Sequence, residues 1–211
     1  MRAPLTSLMG LINLVKEEED LKTIYGLAVM QENCVNKLDL HIQQIIHLSK
    51  NIKTKSLVQQ IDFRVMLNDI FEELSFFEHM SNIHKNILIS GSTNFYSDSY
   101  RIKTILNNLI SNSFKYYRSS EPSPNVDIAV TISEKSAVIV IKDNGIGIAA
   151  ENLENIFDMF YRASNQSKGS GLGLYIVKEM VTKLNGTISV SSRLNTFTQF
   201  VIELPNNKNK Y

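Results

Sequence analysis

The 211-residue sequence holds a single cysteine, Cys34, so no disulfide can form within the chain, and such spare use of thiols fits a reducing compartment. An excess of one charge is lacking too: 22 basic against 21 acidic residues leave a net charge of +1. Such a chain projects no strong field, which disfavours a general nucleic-acid binder, and no basic face marks it for a membrane surface. No apolar run approaches the roughly 18 residues that span a bilayer. The N-terminus lacks the charged, apolar and small-residue order of a secretory signal. A cytoplasmic chain without a membrane segment is expected. What remains is ordinary for a globular protein, 43% hydrophobic and 20% charged, in a length that suits one large domain or two small ones.

The hydrophobic pattern has two regimes. Leu5, Leu8, Ile12 and Val15 fall at the spacing of an amphipathic helix. Before them, Arg2-Ala3-Pro4-Leu5 reads as the interior of a longer helix, with a proline tolerated in an early turn. The acidic run Glu17-Glu18-Glu19-Asp20 suits the start of the next helix, where the dipole favours negative charge. That helix carries a seam of Ile24, Ala28, Val35, Leu38, Ile42, Ile45 and Ile52, broken by Gln31 and Ser49. A seam sustained over about four heptads predicts a bundle or coiled coil. At about 45 Å the helix outreaches the short one before it. An antiparallel hairpin that forms a four-helix bundle on dimerisation is therefore expected over residues 1–56.

Asn51-Ile52-Lys53-Thr54-Lys55-Ser56 reads as a linker, and a second domain is expected over 57–211. Its pattern predicts strands at Ile61-Asp62-Phe63, Ile87-Leu88-Ile89, Val126 to Ile132, Ala137 to Ile141, Thr187 to Val190 and Gln199 to Leu204. Helices are expected at Val65 to Phe77, Ser99 to Tyr117 and Leu172 to Leu184. Mixed without regular alternation, these elements predict an α+β sandwich with helices over one face of a mixed sheet. Only the Asn/Lys-rich tail after Pro205 reads as disordered.

Four segments of this second part carry candidate chemistry. In Asn108-Leu109-Ile110-Ser111-Asn112-Ser113-Phe114-Lys115-Tyr116, a helix sets Asn108, Asn112 and Lys115 along one face. An amide oxygen can ligate a hard cation, and a lysine beside it can meet phosphate oxygens. Alone, this would be a solvated helix face. Asp143-Asn144-Gly145-Ile146-Gly147-Ile148 follows an apolar strand, so its carboxylate could take an exocyclic amine while the glycines let backbone approach a ligand. Alone, it would be a plain turn. Phe157-Asp158-Met159-Phe160-Tyr161-Arg162 precedes a polar stretch, Ala163 to Lys168, that could form a mobile lid, though core aromatics explain Phe157 and Phe160 equally well. Gly169-Ser170-Gly171-Leu172-Gly173-Leu174 runs into a helix, where backbone amides and the dipole can cradle phosphate. It matches neither the dinucleotide-binding glycine pattern nor a P-loop.

In this order the segments resemble the N, G1, F and G2 boxes of the histidine kinase ATP-binding domain, which shares its nucleotide fold with DNA gyrase and the heat-shock chaperone ATPases. Met1 to Leu5 resembles the end of the family's H box, and Phe197-Thr198-Gln199-Phe200 its closing strand. The resemblance implies ATP and Mg²⁺ as cofactors, with Asn112 on the metal, Asn108 lining the same site, and Lys115 and Tyr116 on phosphates or ribose. It also implies that Asp143 takes the adenine amine with help from Thr198, in a pocket shaped by Gly145 and Gly147. Arg162 would reach the γ-phosphate, and Gly169, Gly171, Leu172 and Gly173 would wrap the phosphates. Ser113 in place of the usual alanine, and Phe197 in place of a frequent glycine, are departures expected to matter little.

Related ATPases carry a water-activating glutamate where this chain has Asn108, which is no base at neutral pH. A site without a general base positions and stabilises charge, so the resemblance implies a histidine kinase and a nucleophile brought from elsewhere. If Met1 holds its H-box place, the phosphoacceptor histidine would lie two residues before the chain begins, and the chain alone would bind ATP without phosphorylating itself. His41, His47, His79 and His84 read as bundle-flanking or surface residues. In the full-length protein a sensor region, often membrane-anchored in this family, and a response-regulator receiver domain as partner are expected. A natural pseudokinase and an ATP-binding dimerisation module lacking the phosphoacceptor are the competing readings.

Overall fold

A computed structural model describes residues 2–35, 38, 57–75, 83–91, 93–163 and 170–208. The chain divides into two compact units, Met1–Thr54 and Lys55–Tyr211. In the first, α1 (Arg2–Glu17) and α2 (described over residues 21–35) are joined by three residues. Of the acidic run, Glu17 ends α1 and only Asp20 starts the second helix. Asp20 accepts hydrogen bonds from the Thr23 amide at 2.9 Å and hydroxyl at 2.7 Å, capping it. A groove between the helices is lined by Ser7, Leu11 and Leu14 from one side and Met30, Asn33 and Cys34 from the other.

The seam differs from the one expected. On α2 and its continuation the half-buried line is Ile24, Leu27, Gln31, Cys34 and Leu38, while Ala28 and Val35 are exposed. A single chain covers only the face turned to α1, so the rest of the apolar surface stays open. The seam beyond Leu38, His41, His47 and the linker at 51–56 lie outside the described residues.

The second unit contains every core side chain among the described residues. Its strands are β1 (Val58–Ile61), β2 (His84–Ser90), β3 (Phe95–Asp98), β4 (Asn125–Ile132), β5 (Ser136–Asp143), β6 (Thr187–Arg193) and β7 (Phe197–Pro205). Five of them form a sheet in the order β2-β4-β5-β7-β6, parallel between β2 and β4 and antiparallel elsewhere. Strict alternation buries Val126, Ile128 and Val130, then Ala137, Ile139, Ile141 and Asp143, then Thr198, Phe200, Ile202 and Leu204. Helices α3 (Phe63–Glu73), α4 (Ser99–Lys115) and α5 (Gly173–Lys183) supply the facing layer. Leu106, Leu109 and Ile110 of α4 and Val177 of α5 are fully covered. The mixed sheet under helices is the architecture the pattern predicts.

Three local expectations are corrected. Ile61-Asp62-Phe63 is not a strand: β1 ends at Ile61, and Asp62 caps α3 by accepting from Arg64 N at 2.9 Å and Val65 N at 3.1 Å. That helix ends at Glu73, short of Phe77, and residues 76–82, including His79, lie outside the described residues. Strand β3 was not expected, and it pairs with β1 in a separate two-stranded sheet. Its last residue, Asp98, caps α4, accepting from Arg101 N at 3.0 Å. The start of the tail is tied down. Asn206 bonds Tyr96 N and Asn94 O across the fold, and Asn207 N donates to Tyr96 O.

Candidate functional site

Helix α4 is the spine on which the candidate segments meet. Its apolar stripe, Ile102 to Phe114, is buried against the sheet, which leaves the asparagine face turned aside. Asn108 is half-buried, and its amide nitrogen donates to Thr104 O at 2.8 Å. Its Oδ1 would stand 3.0 Å from a Cβ at position 173, so the start of α5 lies directly against it. Asn112 is half-buried, and among the described residues its side chain makes no hydrogen bond. A free amide oxygen of this kind suits a hard cation whose remaining ligands are phosphate and water oxygens. Among the described residues no cluster of histidine, cysteine or carboxylate groups offers an alternative metal site. Asn112 therefore fits magnesium as an auxiliary ligand.

Lys115 reaches solvent at the helix end, yet enough protein surrounds its ammonium to lower its pKa. Tyr116 ends the helix. Burial pushes its phenol up, partly opposed by the positive charge of Arg162.

The Asp143 segment folds onto the same helix end. Ile146 N donates to Tyr116 O at 3.0 Å, and a Cβ at Gly145 would meet that oxygen at 2.4 Å, so only glycine permits the approach. Gly147 has φ +66°, and a Cβ there would meet Arg193 O at 2.2 Å. Asp143 itself is 8% exposed at the end of β5. Desolvation raises its pKa to about 6, opposed by hydrogen bonds from the Gly145 amide and the Ser113 hydroxyl. Thr198 is its cross-strand partner on β7, buried and 3.1 Å from the Ser192 hydroxyl.

The glycine-rich loop enters through Gly171, whose carbonyl accepts from Phe160 N at 3.0 Å. Leu172 precedes α5 with no side-chain cap, which leaves the first amides of the helix without side-chain partners. Gly169 and the lid expected over Ala163 to Lys168, beyond Ala163 itself, lie outside the described residues. Of the aromatics, Phe157 packs edge-on against Phe200 of β7 at 6.4 Å. Its role is packing. Phe160 adopts φ +68°, a strained backbone fixed by its bond to Gly171.

Two residues of this neighbourhood were passed over in the sequence. Ser113 reads as a minor departure from the family pattern, yet its hydroxyl donates to Asp143 Oδ2 at 3.1 Å. Its place one residue after Asn112 was the available signal. Ser192 holds the glycine segment from behind, accepting from Ile148 N at 2.8 Å and donating to Phe197 O at 2.6 Å. Nothing in the sequence marks it, because Ser192 of β6 comes to the glycine turn only through sheet pairing.

Residues 97–208 match the family described as histidine kinase-, DNA gyrase B-, and HSP90-like ATPase. The sensor histidine kinase RppB of Synechocystis sp. is 29% identical over 97% of this chain and 46% of its own length. The chain spans between 23% and 46% of the length of such curated relatives. Among solved structures, the histidine kinase AdeS of Acinetobacter baumannii superposes with a TM-score of 0.73 at 23% identity, covering 98% of this chain and 97% of that one. The histidine kinase ThkA, solved in complex with the response regulator TrrA, gives 0.71 at 20% identity, covering all of this chain and 60% of ThkA. At these identities the two structures establish the fold.

Proposed function

Because this chain belongs to the histidine kinase-, DNA gyrase B- and HSP90-like ATPase family, with sensor histidine kinases as its relatives, we propose that it is the kinase core of a two-component sensor. It binds Mg·ATP and directs the γ-phosphate to a histidine, from which an aspartate of a response regulator receives it. The observation that carries this reading is Asp143, a buried carboxylate on the sheet, joined through Ser113 and Gly145 to the helix that presents Asn108 and Asn112.

The division of labour follows from the chemistry of each group. Asp143 accepts the adenine amine, with Thr198 beside it and Gly145 and Gly147 bringing backbone close. Asn112 offers its amide oxygen to magnesium, and Asn108 borders the same space. The bound ion neutralises phosphate charge. Lys115, Tyr116 and Arg162 meet phosphate and ribose oxygens, and Gly171 and Gly173 offer amides at the uncapped start of α5, beside the Leu172 amide that donates to Ser170 Oγ at 3.2 Å. Asn108, a neutral amide whose nitrogen donates to Thr104 O, is no base for a water proton. The site therefore orients ATP for an imported nucleophile rather than for hydrolysis.

The hairpin serves as a dimer interface. Leu5, Met9, Ile12, Leu21, Val29 and Val35 are 40% to 82% exposed, an apolar surface that a second copy would cover. The TrrA complex of ThkA suggests a receiver domain as the further partner. Among the described residues no helix is long and apolar enough to cross a membrane.

Isothermal titration of Mg·ATP tests the reading. Asp143→Ala is expected to weaken binding at least about tenfold, the cost of one charge-assisted hydrogen bond; equal affinities would overturn the site. The 211-residue chain incubated with γ-labelled Mg·ATP is expected to stay unlabelled, since its only histidines are His41, His47, His79 and His84.

A further inference from the structure

Helix α4 turns one buried hydroxyl toward Asp143. Ser113 is 5% exposed. Its hydroxyl stands 3.1 Å from Asp143 Oδ2 and 3.3 Å from the Leu109 carbonyl oxygen. It has one proton for these two acceptors. The carboxylate is nearer and, when ionised, the stronger acceptor, so the proton turns to Asp143. On the other oxygen, Oδ1, the Gly145 amide donates at 3.0 Å. One donor on each oxygen fixes the plane of the carboxylate and leaves lone pairs on both for a ligand.

The geometry points to Ser113 as a positioning residue for base specificity: its hydroxyl holds Asp143 as an acceptor-only carboxylate that admits the exocyclic amine of adenine and repels the O6 carbonyl of guanine. This rests on the reading of Asp143 as the group that meets the base. A carboxylate without a proton can only accept, which suits an amine and opposes a carbonyl. A neutral carboxylic acid would carry an O–H able to donate to guanine O6, and discrimination would fall.

The surroundings make the hydroxyl matter. Burial drives Asp143 toward the neutral form, and only the Gly145 amide and the Ser113 hydroxyl act against it. No charged side chain joins them. In the sheet, Asp143 is flanked by Val126 of β4 and Thr198 of β7, while Asp127 and Lys142 pair at the next position, on the opposite face. Along α4 the titratable groups that follow Ser113 are Lys115 and, at the C-cap, Tyr116, and on β6 Arg193 follows Ser192. A serine also serves both states of its partner. If Asp143 takes a proton, the acid can donate to Ser113 Oγ, whose own proton then turns to Leu109 O. The charge-assisted form is the stronger bond, so the serine favours the anion.

Titration of Mg·ATP and Mg·GTP into the full 211-residue chain between pH 5.5 and 8 decides the matter. Four variants are compared with the unaltered protein: Ser113→Ala, Ser113→Thr, Asp143→Asn and the Ser113→Ala, Asp143→Asn double variant. Alanine is smaller than serine, and a thermal melt verifies that this variant folds. Ser113→Ala is expected to weaken ATP about threefold to tenfold at pH 7 and to narrow the ATP-to-GTP ratio by a similar factor. It should also move the acid fall-off of ATP affinity to higher pH. Ser113→Thr, which keeps the hydroxyl, should restore the ratio, and in the Asp143→Asn background Ser113→Ala should change it no further. An unchanged ratio and pH midpoint in Ser113→Ala would overturn the inference, as would an undiminished effect in the double variant. Wild-type binding of both nucleotides by Asp143→Asn is a separate result, removing the reading of Asp143 and the inference with it.

Discussion

A buried carboxylate is costly, and Asp143 shows what the apo fold tolerates for the sake of its pocket. Its folded pKa, about 6, lies above the ordinary 3.8, so the native state binds the proton more tightly than the unfolded chain. Stability is therefore highest at acid pH with respect to this group, and it declines as pH rises from about 4 to about 6. Above that window a constant penalty remains, on the order of 1–3 kcal/mol. Asp143→Asn is expected to stabilise the apo protein by about that amount at pH 7 and by little near pH 4, measured by urea unfolding. A stability difference independent of pH would contradict this. If Asp143 meets the base as proposed, nucleotide affinity is expected to have the opposite dependence, falling as the carboxylate is protonated below pH 6.

At the scale of elements, α4 is placed by its first turn. Asp98 caps the helix through Arg101 N, forms a buried ion pair with the Arg101 guanidinium, and accepts from Leu57 N at 3.3 Å. One side chain thus ties the helix that carries Asn108 and Asn112 to the start of β1. Removing it breaks this buried ion pair, which costs about 3–5 kcal/mol. Asp62 has a simpler duty at the exposed start of α3, where loss of a cap costs about 1 kcal/mol. Chemical denaturation is expected to rank Asp98→Ala well below Asp62→Ala in stability. Comparable losses would mean that the buried pair has no special weight.

For the whole molecule, the contrast between the two units is one of self-sufficiency. The second has a sheet and three helices closed over a covered core, whereas no described side chain of the first is fully buried. An isolated hairpin with its apolar side chains in water would gain little on folding. Sedimentation of the full chain is expected to give a dimer. Val35→Glu, on the open side of α2, should shift it toward monomer while leaving Mg·ATP affinity unchanged. A monomeric wild type would remove the hairpin's proposed role.

The sequence by itself determined the class of fold, most elements and the four nucleotide-related segments, because periodicity, caps and glycine-rich turns are local signals. Asp143, Gly145 and Gly147 could be picked out only in company with the other three segments, because an Asp-Asn-Gly run at a strand end is by itself a favourable turn. Tertiary structure alone decided which side chains face those segments. Ser113 became Asp143's partner only when α4 lay across β5, and Ser192 came behind the glycine turn only when β6 paired with β7. Strand β3 and the seam of α2 were missed for the same reason: pairing and coverage depend on what lies opposite, and a pattern read along one chain does not contain it.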